Sequence, residues 1–293
     1  MVLRRTLAGV EDDAAYLSPA AHPPVFDSAR LRPAAIVDLS SRLDPGSVPP
    51  MVRIEVLSDF DGRPGRDYLD ENMGEALFTT PTAVARAWRS YDFTRRFALG
   101  AGGTVDLNGR TLRFHWVVLQ GDPARIRVTP RSHDGAVAEI EIDWHVPTAA
   151  SGLASSRIDL AVFADNGATL SAPATFSVAL PLFQNRRFEA GPAGHMRLAA
   201  LDYRGNPKDR RTDRSIWATG PWQDALVYDP AGMLSGIERS GPSGRESLRF
   251  GLDGLRQDGP AGAARVTHLA EPGEDFGLVY LTGSRQQPGR EPQ

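Results

Sequence analysis

The sequence predicts a mainly β protein with one sandwich of short strands in its middle third, and three observations carry that reading. Between residues 93 and 180 apolar and polar side chains alternate in six successive runs, the period of a half-buried strand. Turn chemistry separates the runs: Asn108-Gly109, Gly121-Asp122-Pro123, His133-Asp134-Gly135 and Asn166-Gly167. The 293 residues include 29 glycines and 23 prolines, which favours turns over long helices.

Composition narrows the function classes. Formal net charge is −3 with both signs spread along the chain, so no basic patch for nucleic acid stands out. Lys208 is the only lysine. There is no cysteine, which excludes disulfides, zinc thiolates and cysteine nucleophiles. No stretch reaches the roughly 20 apolar residues of a membrane-spanning helix. Arg4 and Arg5 run into Glu11, Asp12 and Asp13 without the apolar run of a signal peptide, so no export signal is expected.

Residues 1–92 read as an irregular segment with short helices, the remnant of a larger domain. His22-Pro23-Pro24-Val25-Phe26 must be extended, because each proline disfavours helix in its predecessor. Pro33 opens a short helix with Ile36, Leu39 and Leu43 at helical spacing, stopped by Asp44-Pro45-Gly46. Val52, Ile54 and Val56 alternate as a strand. A second helix is expected after Thr80 as N-cap and Pro81 at the first helical position, with Val84 and Trp88 on one face.

The sandwich is expected over 93–183. Its strands are read at 93–99, 112–118, 124–128, 138–146, 157–164 and 174–180. Phe114, Trp116, Ile140, Ile142, Ile158, Leu160, Phe176 and Val178 are expected to form most of its core. Residues 184–283 read as a region rich in β-hairpins, and 284–293 as a polar, frayed tail.

Two segments carry a resemblance. Asp106-Leu107-Asn108-Gly109 leads into the strand Leu112-Arg113-Phe114-His115-Trp116; Val162 to Val178 contain a hairpin at Asp165-Asn166-Gly167 and a closing strand. Both ends resemble those of PKD domains and their cadherin-like relatives, over about residues 94–183, although the Gly-Asp-Gly that many such domains carry is replaced by Gln120-Gly121-Asp122-Pro123. The resemblance implies an immunoglobulin-like β-sandwich. It further implies an extracellular or periplasmic, carbohydrate-associated module, commonly attached to a hydrolase; similar modules follow nucleoside-hydrolase-like domains in bacterial proteins. A weaker likeness joins Tyr228-Asp229-Pro230-Ala231-Gly232 to a single YD-repeat hairpin over about 226–254, with Glu246 to Gly254 as the returning strand. A full repeat shell would need many such units.

Several constellations invite chemistry. Glu139, Glu141, Asp143 and His145 alternate with apolar residues, which places four ionisable groups on one strand face. Such a row can hold a hard cation or supply an acid/base pair, or it is the solvated face of a half-buried strand. Asp59, Asp61, Asp67 and Asp70 suggest a cation loop, but Arg63 and Pro64 occupy positions where an EF-type loop needs a ligand and a glycine. Asp106 and Asn108, completed by Asp165, offer oxygens for calcium; the same residues also suit an ordinary Asx turn and Asn-Gly bend. Trp217 and Trp222 flank Gly220-Pro221 and can form a stacking platform for a carbohydrate. No catalytic triad elbow or phosphate loop is present, and no catalytic residue or cofactor is assigned.

Three function classes follow. The first is a non-catalytic binding or structural module, carbohydrate-associated and accessory to a hydrolase. The second is a hydrolytic enzyme using carboxylates of 139–145 or 59–70. The third is a shell or scaffold fragment related to YD-repeat proteins.

Overall fold

The structure, a computed structural model, describes residues 1–62, 67–68, 74–146, 148–150, 153–181, 184–203, 222–241, 244–251, 253, 255–257, 266–270 and 278–282. The tail at 284–293 and Lys208 lie outside these residues. The chain divides into one compact unit of Met1–Phe60, Glu75–Trp88 and Thr94–Leu180, and a second of Asp61–Gly74, Arg89–Phe93 and Pro181–Gln293.

Helices α1 (Val2–Arg5), α2 (Asp13–Tyr16) and α3 (Pro33–Ser41) open the first unit. Its strands are β1 (Glu55–Ser58), β2 (Ala76–Thr79), β3 (Ala83–Ala87), β4 (Thr94–Gly100), β5 (Arg113–Gln120), β6 (Ile126–Pro130) and β7 (Val137–Asp143). The small hairpin β8 (Thr148–Ala150) and β9 (Leu153–Ser155) follows, then β10 (Arg157–Asp165) and β11 (Ala174–Ala179). One sheet has the order β1-β4-β7-β6 and the other β2-β3-β11-β10-β5. The predicted mainly β, sandwich-like class is what the structure shows. The sandwich draws β1, β2 and β3 from ahead of its expected start at residue 93.

The two sheets meet through alternating apolar residues. In β7, Ala138, Ile140 and Ile142 are buried while Glu139 is exposed. Ile140, Ile142, Ile158, Leu160, Phe176 and Val178 all lie in the core as expected. Phe97 of β4 meets Phe176 of β11 with ring centroids 4.8 Å apart. Phe114 and Trp116 depart from the expected core: both are only half-buried, because β5 is the edge strand of its sheet. Trp116 closes that edge by donating Nε1–H to the Gly135 carbonyl at 2.8 Å. Gly135 itself has φ +77, and a Cβ there would stand 2.5 Å from the Phe114 carbonyl oxygen, so only glycine fits.

The segment after Thr80 is a strand, not the predicted helix. Thr80 does cap, but what it closes is a turn between β2 and β3: its Oγ1 accepts from the Ala83 amide at 3.0 Å. β3 then pairs with β11 in parallel, Ala83 opposite Thr175 through Ala87 opposite Ala179. Val84, Ala85, Arg86, Ala87 and Trp88 are all buried. A strand covered on both faces loses the alternation that would have marked it, and the i, i+4 pair of Val84 and Trp88 mimics a helix.

β10 is covered on both faces for a different reason. Residues Ile158 to Ala164 are buried without interruption. One face meets the opposite sheet. The other is covered by the N-terminal segment, whose Leu7, Val10, Tyr16 and Ala21 pack with Ala161, Phe163 and Leu170. Tyr16 anchors this cap by donating its hydroxyl to the Ser171 carbonyl at 2.9 Å. His22 sits between Tyr16 and Phe163, with centroids 5.1 Å from each.

In the second unit β12 (Gln184–Ala190), β13 (Met196–Tyr203), β14 (Trp222–Tyr228), β15 (Leu234–Gly241) and β16 (Gly244–Arg249) form an antiparallel sheet in sequence order. β17 (Val266–Ala270) pairs with β18 (Leu278–Thr282). Leu198, Leu201, Leu226, Leu234, Ile237, Leu248 and Phe250 make a core on one sheet face. On β14 and β15, Asp224 and Arg239 stand opposite each other and form two hydrogen bonds of 2.7 Å, both side chains buried. The Asp229 turn does make a hairpin, with the Met233 amide donating to Asp229 Oδ1 at 2.8 Å. Its returning strand is β15; the 246–254 segment predicted for that role supplies β16, which pairs with β15.

Candidate functional site

The loops at one end of the sandwich come together at Asp106. Between β4 and β5 the chain bends at Asp106–Gly109, where the Gly109 amide donates to the Asp106 carbonyl at 3.1 Å and Gly109 adopts φ +67. Asp106 Oδ2 accepts from the amides of Asn108 and Arg110, each at 3.0 Å. Its Oδ1 accepts from the Asn166 side-chain amide at 2.7 Å. Asn166 Oδ1 in turn accepts from the amides of Ala168 and Thr169 at 3.0 and 2.8 Å. The hydrogen bond from Asn166, followed by that from Arg110, holds the Asp106 carboxyl below the ordinary aspartate value.

The three residues predicted as calcium ligands therefore reach one neighbourhood but point to different tasks. Asp106 is buried and its two oxygens take three donors. Asn108 turns its amide outward to the Pro45 carbonyl at 3.0 Å. Asp165 accepts from the Gly167 amide at 2.8 Å through Oδ1, and its Oδ2 lies 3.8 Å from His115 Nε2. Among the described residues no group of three or more acidic or histidine side chains is arranged to hold a metal. Met51 bridges both loops through backbone pairing with Val105 and Ala172. Met51, Val105 and Leu107 remain exposed beside the clasp.

The carboxylate row lies on the outer face of β7, and arginines from both neighbouring strands occupy it. Glu141 accepts from Arg96 Nε at 2.6 Å and from Arg127 Nε at 3.0 Å. Asp143 accepts from Thr94 Oγ1 at 2.6 Å and from Arg127 Nη1 at 3.1 Å. Glu139 pairs with Arg131. The bonds from Arg96 and Arg127 hold Glu141 below the usual glutamate value. Burial pushes Asp143 up, but Arg127 and Thr94 outweigh it and the net shift is down. His145 does not join the row as predicted. The strand ends at Asp143, and beyond it the His145 ring is turned in and buried, with Nδ1 3.0 Å from the Asp143 carbonyl and Nε2 3.4 Å from the Asp122 amide.

Among the described residues the acids of 59–70 make no group of three that could hold a metal. Asp59 accepts from the buried Arg86 at 2.6 Å. Asp61 and Asp67 belong to the second compact unit, where Asp67 is buried and its carbonyl accepts from the Tyr91 amide at 2.8 Å; Asp70 lies outside the described residues. Trp217 also lies outside them. Trp222 is the first residue of β14, opposite Tyr203.

Arg95 is a buried cation on β4. Arg95 alternates with Phe93, Phe97 and Leu99, on the apolar side of its strand. It is 2% exposed, pairs with Glu75, and sets its guanidinium carbon 3.6 Å from the Phe60 ring centroid. An arginine in phase with core residues was the available signal.

No protein-family model matches the chain, and no curated protein matches it. Weak structural neighbours exist. A nucleoside hydrolase-related hypothetical protein from Saccharophagus degradans, associated with carbohydrate metabolism, is 14% identical with a TM-score of 0.24, covering 36% of this chain and 25% of its own. This chain thus spans a quarter of that protein. The SrpA adhesin of Streptococcus sanguinis is 10% identical with a TM-score of 0.25, covering 60% of this chain and 93% of the adhesin. The N-terminal Ig1-2 module of the Drosophila receptor tyrosine phosphatase DLAR is 9% identical with a TM-score of 0.20, covering 62% and 94%. Likenesses this weak carry no functional inference.

Proposed function

We propose that the chain is a non-catalytic binding or structural module, carbohydrate-associated and accessory to a hydrolase. The observation that carries the first part is the engagement of the carboxylates. Glu139, Glu141 and Asp143 are paired with Arg131, Arg96 and Arg127, and the shifts at Glu141 and Asp143 are downward. A general acid at neutral pH needs its pKa raised, usually by burial or a second carboxylate. At Glu141 and Asp143 the arginines do the opposite, and the ion pairs of the row tie neighbouring strands together.

The carbohydrate association rests on the PKD-like ends of the sandwich and on Trp217 and Trp222. The same resemblance supports an extracellular or periplasmic location and an attached hydrolase domain. No helix among the described residues is long and apolar enough to cross a membrane.

Glycan-array binding tests the reading. Wild type should bind a defined set of glycans, and Trp217→Ala or Trp222→Ala should abolish that signal while leaving the melting temperature unchanged. Binding that survives both substitutions would remove the tryptophan platform. A chain that binds nothing on the array but cleaves a glycoside would overturn the proposal.

A further inference from the structure

We propose that Asn108 is a site of spontaneous deamidation, and that the fold protects Asn166, the other asparagine of the chain followed by glycine. The sequence contains two Asn-Gly pairs, Asn108-Gly109 and Asn166-Gly167. The reaction is the same at both. The glycine nitrogen loses its proton and attacks Cγ of the preceding asparagine. The new N–Cγ bond replaces the Cγ–Nδ2 bond, and the amide nitrogen leaves as ammonia with that proton. Water then opens the resulting succinimide at either carbonyl, giving aspartate or isoaspartate. One water is consumed and one ammonia released. The attack requires the side chain to swing onto its own backbone, so a packed and hydrogen-bonded carboxamide must first be freed.

The two sites differ in that requirement. Asn166 is 5% exposed. Its Nδ2 donates to Asp106 at 2.7 Å, and its Oδ1 accepts from two backbone amides at 3.0 and 2.8 Å. Every polar atom of that carboxamide is committed inside the clasp. Asn108 and Gly109 are both exposed. A single outward bond to the Pro45 carbonyl at 3.0 Å restrains the Asn108 side chain. The glycines do not separate the sites: an added Cβ would meet nothing within 4 Å at either, and both amides donate, Gly109 to the Asp106 carbonyl at 3.1 Å and Gly167 to Asp165 Oδ1 at 2.8 Å. The difference lies in the two carboxamides.

Deamidation has a defined local consequence. The Pro45 carbonyl loses its donor and faces a carboxylate instead. The isoaspartate route also adds a methylene to the backbone of the turn that carries the exposed Val105 and Leu107. The tether between the 106–109 turn and the 44–47 turn therefore has a chemical lifetime, while the Asp106–Asn166 clasp does not share it.

Incubating the full chain at mildly alkaline pH, then mapping tryptic peptides by mass spectrometry, tests this. The peptide ending at Arg110 should gain the mass difference between OH and NH2. The peptide containing Asn166 should change at least about tenfold more slowly, because it waits for local opening. In denaturant the two rates should converge. Asn108→Gln, which keeps an amide donor, should remove the fast event. Equal native rates, or faster reaction at Asn166, would overturn the proposal. So would native protection of Asn108 as strong as that of Asn166.

Discussion

Asn166 donates its side-chain amide to Oδ1 of Asp106 at 2.7 Å, joining two loops 60 residues apart in sequence. Both residues are buried. The bond ties the loop between β4 and β5 to the hairpin that precedes β11, and so links strands from the two sheets. Asn166→Ala leaves the Asp106 carboxylate with one donor fewer and should lower the melting temperature by several degrees. The three protein donors already on Asp106 also bear on calcium, which prefers six to eight oxygens. Millimolar calcium should leave the melting curve of wild type in place. A rise that disappears in Asp106→Ala would reveal a site that the hydrogen bonds conceal, since a ligand bound only to the native state raises its stability.

Two tryptophans should separate in a mutational test of the core. Trp88 is 1% exposed and meets Trp144 edge-on at 5.5 Å. Trp88→Ala should cost about 3–5 kcal/mol by urea denaturation, the usual range for a large aromatic lost from a core. Trp116, half-buried on the edge strand, should cost less, about 1–2 kcal/mol, from partial burial and its bond to Gly135. Reversal of that order would contradict the placement of β5 at the sheet edge.

His22 should make the N-terminal cap sensitive to acid. Burial against Tyr16 and Phe163 is the main cause of a pKa lowered from 6.5 to about 4, with Arg4 and the chain's amino terminus adding in the same direction and the bond to the Tyr16 carbonyl opposing them. Arg5 also faces this cluster, over the Tyr16 ring. The unfolded chain binds the proton more readily than the folded one, so stability is complete above pH 6.5 and falls as pH drops toward 4. The loss is on the order of 3 kcal/mol across that window. His22→Phe should flatten this part of the stability-versus-pH curve. An unchanged slope in the variant would show that His22 is not the group responsible.

Much of the sandwich was legible in the sequence because its strands alternate. Ile140 and Ile142 next to Glu139 and Glu141 encode an inner and an outer face directly. The segments that escaped are those where both faces are covered. β3 lies between β2 and β11, and from Val84 in it to Trp88 just after it no side chain is exposed, so its period vanished and a helix fitted equally well. The cap over Phe163 was hidden because Leu7, Val10 and Ala21 come from turns and Tyr16 from a helix of only four residues. The carboxylate row was visible in the sequence, but the arginines that neutralise it come from β4, from β6 and, at Arg131, from just beyond β6. Strand pairing brings Arg96 and Arg127 to Glu141, and no local pattern announces it.

The state of Glu141 is the most direct test of the non-catalytic reading. Carboxyl-detected NMR titration of the folded chain should find Glu141 below 4.5 and Asp143 below 3.8, both ionised throughout the neutral range. Depressed values also mean that these pairs stabilise the fold above the ordinary carboxylate range and lose that contribution as pH falls through it. Arg96→Gln and Arg127→Gln should each move Glu141 upward toward its ordinary value. A Glu141 or Asp143 that titrates near pH 7 in wild type would contradict the account, because a carboxyl protonated at neutral pH is what a general acid requires.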